Sequence, residues 1–326
     1  MTNNANTPKP SGKKLGVTRR QAISADVSSL IKTSEIQPGQ NLPLVIEPAV
    51  EGVDLIEWGR SQRAFIAGEL VKHGGILFRG FGIAGTEGLE RFTEAISGEL
   101  LEYQDRATPR SQVSGNIYTS TDYPADQTIE LHNEMAYASV WPRKILFCCV
   151  TAAKQGGETP IADCRGILKR IDPELRERLI AKQLMYERNF GDKIGISWQQ
   201  AFNTDDKAVM AEFCRQNQIE FEWKDANHLQ TRQIRPAVIQ HPETGEQVWF
   251  NQATAFHAST LEPEIRDALL AEFGEHGLPK NVFYGDGSSI DTADLQQIRA
   301  AYQQETIAFP WQEGDVLLLD NILVAH

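Results

Sequence analysis

The chain has 326 residues, of which 41% are hydrophobic and 23% are charged. These proportions are those of an ordinary globular protein, and they exclude a collagen-like fibre, a coiled coil and wholesale disorder. The 32 basic and 44 acidic side chains give a net charge of −12, which argues against a partner such as nucleic acid that is bound through its phosphates. The length fits one large domain with helical insertions.

The amino-terminal segment and the cysteines predict a cytoplasmic protein with no membrane partner. Basic side chains in the first twenty residues are not followed by an apolar segment, so they do not form a signal peptide, and residues 1–20 are predicted to be a disordered tail. No apolar run approaches the roughly 20 residues that a membrane span needs. The cysteines lack CxxC spacing and are predicted to be reduced; they are Cys148, Cys149, Cys164 and Cys214.

The first half of the chain is predicted to alternate helices and strands. Helical spacing over residues 53–72 ends at Gly74 and Gly75, and residues 76–79 are predicted as the strand that follows. A helix is predicted from Thr86, and the Thr, Ser, Asn, Gly and Pro of residues 103–123 are typical of loops around a site. Two further segments, joined by a Gly-Gly turn, are predicted as neighbouring strands of one sheet: residues 145–150 and 158–162.

The second half is predicted to interrupt strands with helices. Capping residues and apolar stripes predict helices over 172–182, 205–216, 262–275 and 292–304. A hairpin is predicted over 237–250 and a final strand over 316–319. Strands that recur without a repeat period predict a sheet core with helices outside it. Residues 21–326 are therefore predicted to form a single domain, with helical insertions around 163–232 and 262–304.

A His-Asn-Glu segment carries the clearest chemical signal. His132 and Glu134 are two residues apart, so in an extended segment their side chains lie on the same face. A second histidine would complete a 2-His-1-carboxylate set, which binds Fe(II) and leaves coordination positions open. The candidates are His326 at the end of a predicted strand, His241 in a polar turn typical of a solvated side chain, and His257 and His228 in irregular stretches.

Short motifs along the chain occur in an order specific to one family. They are Phe78-Arg-Gly-Phe81, Tyr118-Thr-Ser-Thr-Asp-Tyr-Pro124, Leu131-His-Asn-Glu134, Trp141-Pro142, Gly156-Gly-Glu-Thr-Pro160, Trp249-Phe-Asn251, Tyr284-Gly-Asp-Gly287 and Gly314-Asp-Val-Leu-Leu-Leu-Asp-Asn321. With these motifs the chain resembles the TauD/TfdA family of Fe(II)- and 2-oxoglutarate-dependent oxygenases. The resemblance is closer to its clavaminate synthase-like and SyrP-like members, and it covers about residues 50–326.

The resemblance implies both a fold and a set of ligands. The implied fold is mainly β with flanking helices, a double-stranded β-helix or jelly roll. The implied iron ligands are His132, Glu134 and His326, and Thr159 is the implied ligand of a carboxylate of 2-oxoglutarate, which is a co-substrate together with O2.

The predicted reaction is hydroxylation of an aliphatic carbon. The resemblance implies that the substrate is an amino acid or is derived from one, either free or tethered to a carrier protein. Substrate contacts are predicted in the loop-rich segment before the His-Asn-Glu motif and at one cavity position: Arg106, Arg110, Asn116, Thr119 and Asn251.

Two rival functions use the same residues. One is a non-catalytic jelly-roll protein that binds a small molecule, and the other is a zinc hydrolase, against which the lack of an HExxH motif counts. Family members carry an arginine about a dozen residues beyond the second histidine, where it binds the far carboxylate of 2-oxoglutarate. Because the sequence stops at His326, we expect a truncated chain whose natural form continues and supplies that arginine; Arg235 and Arg79 are the alternatives within the chain.

Overall fold

The fold is described by a computed structural model for residues 27–98, 112–114, 117–119, 129–191 and 195–326. The α-helices in these ranges are α1 (Leu55–Ser61), α2 (Arg63–His73), α3 (Gly85–Ser97), α4 (Cys164–Arg170), α5 (Pro173–Lys182), α6 (Trp198–Phe202), α7 (Lys207–Gln216), α8 (Ala253–Phe256), α9 (Pro263–Phe273) and α10 (Thr292–Glu305). Short 3-10 helices occupy Val27–Leu30, Ala258–Thr260 and Glu275–Gly277.

The strands in the same ranges are short and are distributed along the whole described chain. They are β1 (Ile31–Glu35), β2 (Leu44–Pro48), β3 (Gly75–Phe78), β4 (Gln112–Ser114), β5 (Ile117–Tyr118), β6 (Lys144–Cys148), β7 (Ile161–Asp163), β8 (Leu184–Phe190), β9 (Glu220–Trp223), β10 (Leu229–Arg235), β11 (Val238–Gln240), β12 (Gln247–Trp249), β13 (Lys280–Tyr284), β14 (Thr306–Ile307), β15 (Val316–Asp320) and β16 (Val324–Ala325).

Three sheets organise the described chain. The largest has five strands in the order β1-β2-β3-β15-β6, in which β2 and β3 are parallel and the other neighbours are antiparallel. A second has four antiparallel strands in the order β13-β8-β10-β9, and a third has the order β14-β7-β16. Two two-stranded pairs, β4-β5 and β11-β12, complete the described pairings.

The inner strands β3 and β15 of the five-stranded sheet are buried on both faces. Ile76 and Leu318 pack on one face against α1, α2 and α3, whereas Leu77, Leu317 and Leu319 pack on the other face against the rest of the core. Because alternate side chains of a strand point to opposite faces, burial of both faces requires the continuous apolar sequence seen in β3 and β15. The strands predicted over 76–79 and 316–319 therefore correspond to the inner strands β3 and β15, whereas the run predicted over 145–150 corresponds to the edge strand β6.

Local signals place several helix ends where they were predicted. Asp172 caps α5 by accepting hydrogen bonds from the N–H groups of Glu174 and Leu175, and Pro173 occupies the first helical position. Gly74 ends α2 in the left-handed conformation, with φ of 80°. The helix predicted over 53–72 is interrupted at Gln62, which ends α1 and begins α2.

Two predictions about the sheets are corrected. The strands predicted as neighbours, β6 and β7, lie in different sheets, because β6 pairs with β15 while β7 pairs with β14 and β16. The mainly β prediction is confirmed only in part: the described chain is a mixture of helices and sheets, with more residues in α-helices than in strands. The segments predicted as helical insertions contain helices, and they also contribute all four strands of the sheet β13-β8-β10-β9.

Within the described ranges, no helix is both long enough and apolar enough to cross a membrane.

Candidate metal centre

The two histidines of the predicted ligand set are paired through their backbones. The N–H of His132 donates to the carbonyl of His326 at 3.0 Å, and the N–H of His326 donates to the carbonyl of His132 at 2.9 Å. This exchange of two hydrogen bonds joins directly opposite residues of antiparallel segments. The two ring centroids are 4.8 Å apart. The backbone therefore sets the separation of two candidate ligands that are distant in the sequence.

The third candidate ligand, Glu134, lies close to both imidazoles. The Glu134 Oε2 atom is 4.0 Å from Nε2 of His132 and 3.7 Å from Nε2 of His326. One ligand atom from each of the three side chains falls within 4.8 Å of the others. Two donors that share one ion at about 2.1 Å are at most about 4.2 Å apart, so both measured Nε2 to Oε2 distances are compatible with a metal ion bound between them.

A chain of hydrogen bonds orients the His132 ring. Its Nδ1–H donates to the Glu130 carbonyl at 2.9 Å, which leaves the Nε2 lone pair for a metal. The Glu130 carboxylate in turn accepts a hydrogen bond from Arg299 Nε at 3.1 Å. Arg299 also donates to the Thr254 carbonyl and to Ser259 Oγ, so it connects this segment to α8 and the 3-10 helix beyond it. Arg299 of α10 therefore helps to fix the segment whose backbone orients the first candidate ligand.

Two fully buried asparagines fix the His-Asn-Glu segment against the turn between β15 and β16. Asn133 Nδ2 donates to the carbonyls of Asn321 and Val324 at 2.7 and 3.3 Å. Asn321 Oδ1 accepts from the Glu134 N–H at 2.7 Å, and Asn321 Nδ2 donates to the carbonyls of Glu134 and Pro142 at 3.0 and 2.7 Å. Both asparagines occur in the sequence motifs quoted above, from which no role was predicted for either.

His241 was predicted to be a solvated side chain, and this prediction is wrong. It is 0% exposed. Its Nε2–H donates to Asp320 Oδ2 at 3.2 Å, and its Nδ1 accepts hydrogen bonds from the N–H groups of Glu243 and Thr244. Both ring nitrogens therefore hold the β11-β12 turn against the end of β15, and neither is aimed at the triad.

The other two histidine candidates also lie outside the triad. His257 Nδ1 accepts a hydrogen bond from the Ser259 N–H at 3.0 Å. Burial, followed by the charges of Arg299 and Arg266, lowers the pKa of His257 from 6.5 to about 4. His228 Nε2 lies 3.3 Å from Asn189 Oδ1, beside the four-stranded sheet.

Thr159, the predicted co-substrate ligand, lies just before β7. Its hydroxyl oxygen accepts a hydrogen bond from Trp311 Nε1 at 3.2 Å, and Trp311 packs beside Phe309 with ring centroids 5.8 Å apart. β7 pairs with β16, which immediately precedes His326. Thr159 therefore precedes one strand of the sheet β14-β7-β16, and the candidate ligand His326 follows another.

Of the five predicted substrate residues, two lie within the described ranges. Arg106, Arg110 and Asn116 lie outside the described residues. Thr119 is half-buried after β5. Asn251 is 1% exposed, donates to the Ala237 carbonyl and accepts from the N–H that begins α8, so both ends of its amide hold backbone. Its contact with substrate stays a prediction.

The two arginines considered for the co-substrate carboxylate both have internal partners. Arg79 makes a bidentate ion pair with Asp315, at 2.7 Å for the shortest contact, and donates to the Pro310 carbonyl. Arg235 donates to the carbonyls of Ile234 and Asn217 and to a neighbouring glutamine. These contacts hold both guanidinium groups within the protein.

The donor set of two imidazoles and one carboxylate defines a class of protein. It is the set used by mononuclear non-haem iron enzymes that activate O2, in which the remaining coordination positions take substrates. The aromatic ring of Phe147 on β6 packs against His326 with centroids 5.2 Å apart, so an apolar wall adjoins the candidate centre.

Comparison with known proteins identifies the family. Residues 35–326 match the family described as taurine catabolism dioxygenase TauD, TfdA family, and the chain belongs to it. It is 43% identical over 257 residues to the dapdiamide synthesis protein DdaC of Enterobacter agglomerans, covering 79% of this chain and 78% of that protein. It is 29% identical over 299 residues to a clavaminate synthase-like protein of Arabidopsis thaliana, covering 89% of this chain and 86% of that protein. Fe(II) and 2-oxoglutarate are accordingly its cofactor and co-substrate.

Solved structures show a similar fold. PvcB of Pseudomonas aeruginosa has a TM-score of 0.53 at 18% sequence identity, and the match covers 94% of this chain and 87% of that one. A second structure of PvcB, described as an Fe, alpha-ketoglutarate dependent oxygenase from an isonitrile synthetic pathway, has a TM-score of 0.51.

Proposed function

We propose that the protein uses His132, Glu134 and His326 to bind Fe(II) and hydroxylates an aliphatic carbon of an amino acid or of a compound derived from one. The observation that carries the ligand assignment is the convergence of these three side chains, with ligand atoms within 4.8 Å of one another. The support for the substrate class is the identity of 43% to a dapdiamide synthesis protein and of 29% to a clavaminate synthase-like protein. Free and carrier-tethered forms of the substrate both fit this proposal.

Fe(II) together with 2-oxoglutarate supplies the oxidation: O2 is consumed, and the co-substrate leaves as succinate and CO2. The chain contributes positioning. His132 presents Nε2 because its Nδ1–H is held by the Glu130 carbonyl, and Glu134 is held by the hydrogen bonds between its backbone and Asn321. Thr159 binds a carboxylate of 2-oxoglutarate through the hydroxyl that Trp311 now orients.

We also propose a topology for the fold and a cellular location for the protein. The sheets that flank the triad, β1-β2-β3-β15-β6 and β14-β7-β16, form a double-stranded β-helix. The similarity of fold to PvcB supports this. The protein works in the cytoplasm, which is supported by the four cysteines, none of which forms a disulfide among the described residues.

The ligand assignment is tested by removing one donor at a time. His132→Ala and Glu134→Ala each remove one of three protein ligands, so Fe(II) binding, measured by anaerobic calorimetry, is expected to weaken at least about a hundredfold. The visible band that forms when 2-oxoglutarate joins Fe(II), and the release of succinate, are expected to disappear with it. His228→Gln is the matched control, because it changes a half-buried histidine beside another sheet.

The control is expected to retain all three signals. If either ligand variant keeps wild-type Fe(II) affinity and succinate release, the triad is not the metal site.

A further inference from the structure

Two sequence motifs without a role in the proposed function are joined by one ion pair. Arg79 belongs to the Phe78-Arg-Gly-Phe81 motif and follows β3 directly, whereas Asp315 belongs to the motif that begins at Gly314 and precedes β15. The Arg79 Nε atom lies 3.1 and 3.2 Å from the two Asp315 carboxylate oxygens, and Nη2 donates to Oδ2 at 2.7 Å. Asp315 is 0% exposed, so its charge depends on this partner for compensation.

The same ion pair holds the turn that carries Trp311. Arg79 Nη2 also donates to the Pro310 carbonyl at 2.9 Å, and Asp315 Oδ2 accepts a hydrogen bond from the Gln312 N–H at 2.8 Å. The residue before Trp311 and the residue after it are therefore each bonded to one member of the pair. The backbone position of Trp311 is accordingly fixed from both sides.

The Trp311 indole sets the direction of the Thr159 hydroxyl. Both side chains are half-buried, and Trp311 Nε1–H donates to Thr159 Oγ1 at 3.2 Å. An indole N–H can only donate, whereas a hydroxyl has one proton and two lone pairs. The bond therefore occupies a lone pair of Oγ1 and directs the hydroxyl proton away from Trp311. Among the described residues, no other group accepts that proton.

We propose that Trp311 is a positioning residue for 2-oxoglutarate, because it holds the Thr159 hydroxyl as a hydrogen-bond donor to the carboxylate that does not bind the metal. This inference rests on the proposed oxygenase function and deepens it. The 2-oxo acid end of the molecule can chelate an ion, which leaves the other carboxylate for the protein. A carboxylate only accepts hydrogen bonds, so a hydroxyl turned the other way would present a lone pair to it.

Arg79 acts one step further away, through the turn that carries the indole. The sequence left Arg79 as an alternative ligand of the same carboxylate. In the structure its Nε and Nη2 groups are bonded to Asp315 and to the Pro310 carbonyl. Its effect on the co-substrate therefore passes through Trp311.

A double-mutant cycle tests whether Trp311 acts through Thr159. Trp311→Phe keeps an aromatic ring and removes the N–H, and it is combined with Thr159→Val. The dissociation constant of 2-oxoglutarate is measured from the visible band of the anaerobic Fe(II) protein. Trp311→Phe is expected to raise this constant about three- to fivefold and Thr159→Val about tenfold, which are effects of the size of one hydrogen bond. In the Thr159→Val protein, Trp311→Phe is expected to have no further effect.

Trp249→Phe is the matched control. Trp249 is 0% exposed, and its Nε1–H donates to the Tyr302 hydroxyl at 3.0 Å. This variant also loses an indole hydrogen bond, so it is expected to lose stability in urea unfolding and to keep the wild-type dissociation constant. A second control changes the ligand: 2-oxobutyrate has the 2-oxo acid end and lacks the second carboxylate. Its dissociation constant is expected to be the same in the wild type and in Trp311→Phe.

Arg79→Lys tests the turn. Lysine keeps a positive charge opposite Asp315 but cannot reproduce the bidentate contact together with the bond to Pro310. The dissociation constant of 2-oxoglutarate is expected to rise about twofold in the otherwise wild-type protein and to stay unchanged in the Trp311→Phe protein. An equal rise in both proteins means that Arg79 binds the carboxylate directly, and it overturns the indirect role.

The outcomes separate this inference from the proposed function. An unchanged dissociation constant for Trp311→Phe overturns the positioning role and leaves the oxygenase function standing. Equal effects of Trp311→Phe with and without the Thr159 hydroxyl do the same. Equal weakening of 2-oxobutyrate and 2-oxoglutarate overturns the assignment to the second carboxylate. A wild type that shows neither the visible band nor succinate release contradicts the proposed function, and the inference falls with it.

Discussion

Replacement of Asn321 by alanine tests whether the frame around the candidate metal centre is held by one buried amide. Asn321→Ala removes hydrogen bonds to three backbone groups: the Glu134 N–H, the Glu134 carbonyl and the Pro142 carbonyl. Asn321 is 0% exposed, and its bonds to Glu134 are buried, so water cannot readily replace them. Each buried group left without a partner costs about 1–3 kcal/mol. Two of the three groups are fully buried and the third is partly exposed, so we expect the free energy of unfolding to fall by about 2–6 kcal/mol.

The same substitution is expected to weaken metal binding in the protein that remains folded. The N–H and the carbonyl of Glu134 both lose their bond to Asn321, so the backbone that places its carboxylate near the two imidazoles is held less firmly. Residues that orient metal ligands typically contribute 10–100-fold to affinity, which corresponds to about 1.4–2.7 kcal/mol. Urea unfolding measures the first effect, and anaerobic calorimetry with Fe(II) measures the second.

Asn189→Ala is the matched control for both measurements. Asn189 is 3% exposed and its amide donates to the carbonyls of His276 and Leu278 at 2.9 and 2.8 Å, in the four-stranded sheet. It is expected to lose stability to a similar extent and to keep wild-type Fe(II) affinity. If Asn321→Ala binds Fe(II) as tightly as the wild type, or if both variants lose affinity equally, then Asn321 does not position Glu134.

Three more outcomes are expected. Thr159→Val removes the hydroxyl proposed to bind 2-oxoglutarate, so the KM for 2-oxoglutarate should rise about tenfold in succinate assays while Fe(II) affinity stays constant; an unchanged KM removes Thr159 from the site. The pKa of His257 is lowered from 6.5 to about 4, so between these two pH values the unfolded chain binds a proton that the folded protein does not. The free energy of unfolding should therefore fall by up to about 3 kcal/mol as the pH drops from 6.5 to about 4. His257→Asn should flatten this dependence in urea unfolding at a series of pH values. Dithiothreitol should leave the melting temperature unchanged, and a large drop would reveal a disulfide.

Local sequence pattern predicts two of the three candidate metal ligands but not the third. His132 and Glu134 are recognisable because two residues of one extended segment share a face, which is a local property. The second histidine is not local, and sequence reasoning from the residues left four candidates. Only the reciprocal hydrogen bonds between His132 and His326, made after the chain has folded, select one of them geometrically. The family resemblance selected the same residue from its motifs.

The four-stranded sheet was not predicted because one of its two inner strands, β8, contains charged and polar residues that are buried, whereas such residues are usually exposed. All seven residues of β8 are buried, including Glu187, Arg188 and Asn189. Charged residues are rarely buried unless they are paired, and the partners of Glu187 come from β10 and from the 3-10 helix before β13. A sequence pattern cannot show such partners, so the segment was predicted as part of a helical insertion.

The frame of the metal centre consists of bonds that do not involve the metal. The backbone pair of His132 and His326 and the amide of Asn321 hold the ligand segments through hydrogen bonds alone. Removal of the His132 imidazole leaves this frame in place, so the variant should lose Fe(II) and keep most of its stability. Removal of the Asn321 amide takes away the part of this frame that holds Glu134, so that variant should lose both Fe(II) affinity and stability. If the two kinds of variant instead lost stability and affinity in the same proportion, the metal itself would be organising the site.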